Sequence, residues 1–117
     1  MIPGVLNIVL PKGTTLAKRF ELYDEANNPI DLTGYHVQMA AKKSYSSTTF
    51  LMNIATSGGT TEGTVVVTGN RIDATVPWAT TDTWPTGTYI WNLELTSPAD
   101  KKDRLLEGNL TVNPGVL

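Results

Sequence analysis

Residues 87–96 read GTYIWNLELT, the clearest alternation in the chain. Tyr89, Trp91, Leu93 and Leu95 fall on one side of an extended segment, with Asn92 and Glu94 on the other. A period of two marks a strand with one face in a core and one in water. The stretch just upstream, DTWPT at 82–86, carries a second tryptophan ahead of a proline and then Gly87, so the strand is entered through a tight corner.

Working outward, the same period recurs. Leu16, Phe20 and Leu22 oppose Arg19, Glu21 and Tyr23, with Lys18 on the apolar side. Tyr35, Val37, Met39 and Ala41 oppose His36, Gln38 and Lys42. Phe50, Met52 and Ile54 form one face of the next run, and Ile72, Ala74 and Val76 another, closed by Pro77. Leu106, Gly108, Leu110 and Val112 oppose Glu107, Asn109 and Thr111. Leu6, Ile8 and Leu10 read as the domain's own first strand. Turn signals at Asn27-Asn28-Pro29, Gly34, Thr68-Gly69-Asn70 and 97–104 separate these runs, and SGGTTEG at 57–63 reads as a flexible turn. Helix is confined to one turn within ATTDTW at 79–84. About seven to eight short strands with this turn spacing predict an all-β chain, an immunoglobulin-like antiparallel β-sandwich, in one domain over 1–117. Residues 1–5 and 113–117 are apolar and stand as candidate contact arms, with Ile2, Val5, Val116 and Leu117 as the contacts.

The corner gains a meaning in that fold. A tyrosine at the start of the strand after the corner bonds its hydroxyl to upstream backbone. Tyr89 has that place, Gly87 provides a positive φ, and Asp82 is expected to receive backbone N–H groups or cap the helical turn. Trp91 is then the central core aromatic, Trp84 covers the corner, and Trp78 closes the end of the preceding strand.

Catalytic and metal chemistry finds little material. With no cysteine and one histidine, thiolate nucleophiles and histidine metal clusters are excluded. His36 lies on a polar strand face, and no glycine-flanked serine such as G-x-S-x-G accompanies it. Asp24, Glu25 and Asp31 flank one loop and Asp100 and Asp103 another, without the calcium-loop pattern, so they read as turn formers. The 57–63 loop lacks the lysine of a phosphate loop. A net charge of −2 gives no continuous basic surface for nucleic acid. The opening MIPGVLNIVL has no basic leader and is too short and interrupted for a signal peptide or membrane span. The expectation is a non-enzyme with no cofactor and no metal.

Three segments carry a resemblance: LPKGTTLAKRFELYDEANNPIDLTGYHVQMAAKK at 10–43, GNRIDATVPWATTDTWPTGTYIWNLELT at 69–96, and RLLEGNLTVNPGV at 104–116. In this order they resemble small structural proteins of tailed-bacteriophage virions, including the domain type at the N-terminus of baseplate upper proteins. The resemblance implies a non-enzymatic subunit of a head, neck, tail or baseplate, assembled in the host cytoplasm. Its implied partners are other virion proteins and further copies of itself. It transfers no functional residue, since the matched positions are turn and core positions. The alternative is a carbohydrate-binding β-sandwich in which Trp84, with Tyr35 or Tyr45, stacks on a host glycan.

Overall fold

The computed structural model describes residues 4–114. The elements in chain order are β1 (Gly4–Val5), β2 (Ile8–Pro11), β3 (Leu16–Glu21), β4 (His36–Lys42), β5 (Phe50–Ala55), β6 (Thr64–Thr68), β7 (Arg71–Val76), α1 (Trp78–Thr81), β8 (Gly87–Thr96) and β9 (Lys102–Asn113). The decisive run at 87–96 is β8, and its inward residues Tyr89, Trp91, Leu93 and Leu95 are buried. It lies inside the larger sheet, ordered β1-β9-β8-β4-β5, with β2 also on β9. The smaller sheet is β3-β7-β6, and the two pack face to face as an immunoglobulin-like β-sandwich.

The pairings are antiparallel except at the N-terminal strand. There β1 and β2 run parallel to β9, with Gly4 opposite Leu106 and Ile8 opposite Leu110. The expected first strand is thus two pieces, broken at Leu6-Asn7. Ile8 and Leu10 are buried as expected, whereas the Leu6 side chain is turned toward solvent.

The break has a local cause. The Leu6 carbonyl turns inward and accepts a 2.9 Å hydrogen bond from the indole Nε1 of Trp91. Opposite Trp91 in the β8–β9 register stands Gly108. A Cβ at Gly108 would collide with the Leu6 carbonyl, so only glycine admits this approach. Beside it the Asn7 side chain accepts from the Asn109 N–H at 3.0 Å, which bridges the gap in the ladder.

Trp91 also stacks on Phe20 of β3 across the core, centroids 6.4 Å apart. In antibody-type domains the residue two after the corner tyrosine is a cysteine bridged to the opposite sheet. Here the residue two after Tyr89 is Trp91, and an aromatic pair joins the sheets where that disulfide would stand.

Two corrections to the expected faces follow from bulges and turns. The β4–β5 register shifts after Ala41, placing Lys42 opposite Phe50 while Ala41 stays opposite Met52. The extra residue, Leu51, sends Phe50 outward, where it is 41% exposed and Lys42 Nζ sits 4.7 Å from its ring centre. The glycine-rich loop at 57–63 is no loose turn. Thr60 and Thr61 donate their N–H groups to the Asn53 carbonyl at 2.9 and 3.0 Å, and the Asn53 N–H bonds the Thr61 hydroxyl. The loop therefore straps the outer edge of β5, and Gly59 lies close enough that a Cβ would be 3.0 Å from the Asn53 carbonyl oxygen.

Replacing Gly108 by alanine is expected to push the Leu6 carbonyl away and strand the buried Trp91 N–H, at a cost of about 1–3 kcal/mol. Urea unfolding measures it. A wild-type midpoint in Gly108→Ala would rule out the close approach.

Candidate functional site

The corner is built from the end of β7 to the start of β8. Pro77 stops the β7 ladder and its extended backbone leads directly into α1, a single turn. Trp78 opens that turn and faces out, 61% exposed, so it does not close the preceding strand as its position suggested. Thr81 is wholly buried instead, and its hydroxyl donates to the Thr14 carbonyl at 2.7 Å, tying the corner to the β2–β3 loop. Threonine is common in this chain and nothing in the sequence singled out Thr81.

Asp82 is the C-cap of α1, and it acts through its backbone N–H, which donates to Trp78 O at 2.9 Å. The sequence expected its carboxylate to receive backbone N–H groups or cap the turn; the cap is made by the backbone N–H instead. Trp84 is 4% exposed and belongs to the core cluster. Gly87 has φ +146°, a backbone state that side chains rarely adopt. The Tyr89 hydroxyl donates to the Pro85 carbonyl at 2.7 Å, closing the corner over four residues. Asp82, Trp84, Gly87, Tyr89 and Trp91 thus act on the architecture, and none presents a reactive group to a cavity.

Two of the loop acids, Asp24 and Asp31, hold backbone. Asp24 Oδ1 accepts from the Asn28 N–H at 2.9 Å, and Asp31 Oδ1 accepts from both the N–H and the hydroxyl of Thr33. The Thr33 hydroxyl, and then its N–H, keep the Asp31 carboxyl below its ordinary range. His36 at the start of β4 donates Nε2–H to the Ser57 carbonyl at 3.0 Å. Among the described residues no three His, Cys, Asp or Glu side chains are grouped to hold a metal ion. Among the same residues, no helix is long and apolar enough to cross a membrane.

Three surfaces remain. The first is the β1–β2 edge, where Val5 is 74% and Val9 63% exposed. Ile2, Val116 and Leu117, the other expected contacts, lie outside the described residues; residues 4–5 and 113 of the expected arms are strand residues of the larger sheet.

The second surface is a shallow groove of about 260 Å³ on the outer face of the larger sheet. Tyr45 and Phe50 wall it, and Gln38, Asn92, Glu94 and Arg104 supply polar groups.

The third is a cleft of about 560 Å³ between β3 and β9, with Phe20, Leu22, Tyr35, Leu105 and Leu106 in its lining. On its rim Arg19 bonds Asp73 at 2.7 Å, and that bond holds the Asp73 carboxyl below its ordinary range.

No family model matches the chain, and no curated protein does. Among solved structures it is similar to one described as murine CRIg, at 10% sequence identity. That match covers 95% of this chain and 93% of the other, with a TM-score of 0.45.

With Trp84 in the core, Trp84→Ala is expected to cost about 3–5 kcal/mol. Tyr89→Phe, which removes only the corner hydroxyl, is expected to cost about 1 kcal/mol. Thermal or urea unfolding of both variants checks the pair, and an unchanged Trp84→Ala would place that side chain outside the core.

Proposed function

We propose that this chain is a non-enzymatic structural subunit of a tailed-phage virion and works by protein–protein assembly. One observation carries the reading: an ordered edge strand holds Val5 and Val9 in solvent, 74% and 63% exposed. The inward half of the same strand, Ile8 and Leu10, is spent on the core, so the outward half has no partner within the described chain. Apolar side chains aligned on a sheet edge suit burial against a neighbouring subunit. The corner residues support the reading by serving the scaffold alone. The three-segment resemblance supplies the setting, with other virion proteins and further copies as partners.

Mass spectrometry of purified particles from cells making the chain is expected to find it at a fixed copy number. The double variant Val5→Asp/Val9→Asp, folded by circular dichroism, is expected to drop out of them. Particles without the wild-type chain, or full retention of the variant, count against the reading.

A second reading, carbohydrate binding, has the outer-face groove in its favour, where aromatic walls meet polar side chains. It passes from Trp84, whose ring is buried, to Tyr45, which is 72% exposed. Tyr35 lines the inter-sheet cleft, away from that groove. A glycan array is the check: binding by the wild type that Tyr45→Ala loses at unchanged stability favours this reading, and a blank array removes it.

A further inference from the structure

The smaller sheet ends at β3, which has β7 on one side and no strand on the other among the described residues. The direction of its backbone groups follows from the ladder. Leu22 N–H donates to the Asn70 carbonyl at 3.0 Å, continuing the β3–β7 register one pair past Glu21–Arg71. An antiparallel ladder alternates, so Leu16, Lys18 and Phe20 bond toward β7, and Ala17, Arg19 and Glu21 point N–H and C=O to the open side. Under that open side lies the apolar cleft lined by Phe20, Leu22, Leu105 and Leu106.

We propose that this edge pairs with β3 of a second copy of the chain, antiparallel, about a two-fold axis at Phe20. Charge selects the register. A two-fold axis perpendicular to the sheet keeps both buried faces on one side and places one residue opposite itself. An axis at Lys18, Arg19 or Glu21 sets a charge against its own copy, which is destabilising.

An axis at Phe20 sets Arg19 opposite Glu21 of the second copy, twice, through the backbone groups that are free. It also sets Phe20 against Phe20 as the closely spaced non-hydrogen-bonded pair, at the mouth of each cleft. Lys18 then crosses to Leu22 of the second copy, with its stem on the apolar side. Arg19 remains able to do this while bonded to Asp73, since that bond uses Nε. The other edges offer less to a register: the strap of 57–63 covers β5, and neither β6, TVVVT, nor the β1–β2 edge, GV and IVLP, carries a charge to set one. The pairing rests on the assembly reading for its purpose, and a monomer that still enters particles fails here alone.

The test is a charge exchange followed by light scattering at about 100 μM. The wild type is expected to be a dimer. Glu21→Lys alone sets Arg19 against a lysine, and Arg19→Glu alone sets two glutamates together. Each is expected to weaken self-association at least about tenfold. An equimolar mixture of the two restores both opposite pairs and is expected to dimerise. Circular dichroism checks both folds, since Arg19→Glu also gives up the bond to Asp73.

In the wild type, amide exchange at Arg19 and Glu21 is expected to slow as concentration rises. A wild-type monomer overturns the proposal and makes Lys18 the guard of an edge kept single. A dimer that survives both variants, or a mixture that stays monomeric, overturns it as well.

Discussion

The hydrogen bond from the Trp91 indole to the Leu6 carbonyl organises the molecule. An indole N–H in a sandwich core has to find an acceptor, and none of its apolar neighbours supplies one. The acceptor comes from a strand 85 positions away in sequence, and it reaches the ring only because residue 108 has no side chain. Turning that carbonyl inward interrupts the strand, gives β1 and β2 their separate ladders, and swings the Leu6 side chain out. The same ring stacks on Phe20, so one side chain ties the first strand, the last strand and the opposite sheet.

Strand allocation follows from that bond. With β1 and β2 held on β9, the larger sheet has six strands and the smaller three among the described residues. The imbalance leaves one side of β3 without a neighbour among those residues and opens the cleft beside it. Both surfaces offered for assembly, the valines of the N-terminal edge and the free side of β3, trace to the same allocation.

The alternation in β3, β4, β7 and β8 was legible because each strand is buried on one face, and burial writes itself as a period of two. The corner could be read from Gly87 and Tyr89, whose spacing reflects a backbone need. Phe50 could not be placed, because a single bulge reverses the face of every residue beyond it and leaves no mark in composition. The strap at 57–63 was missed because its work is done by backbone groups and close approach, which a run of glycines and threonines does not distinguish from slack. Gly108 was visible as a glycine within a strand, but its purpose lies in Leu6, at the far end of the chain. Trp78 and Trp84 are alike in sequence, and only the geometry of one helical turn separates the exposed ring from the buried one.

The parallel pairing of the first and last strands also sets how the domain bears load. Tension drawing residues 4 and 114 apart runs along β1, β2 and β9 in opposing directions, since parallel neighbours present their chain entry and exit at opposite ends. The ladder bonds between them are then sheared together and cannot open one at a time from an end. A hairpin pulled at its two free ends would unzip. This arrangement makes the N-terminal strand a mechanical clasp, with the bond at Leu6 in the middle of the loaded seam.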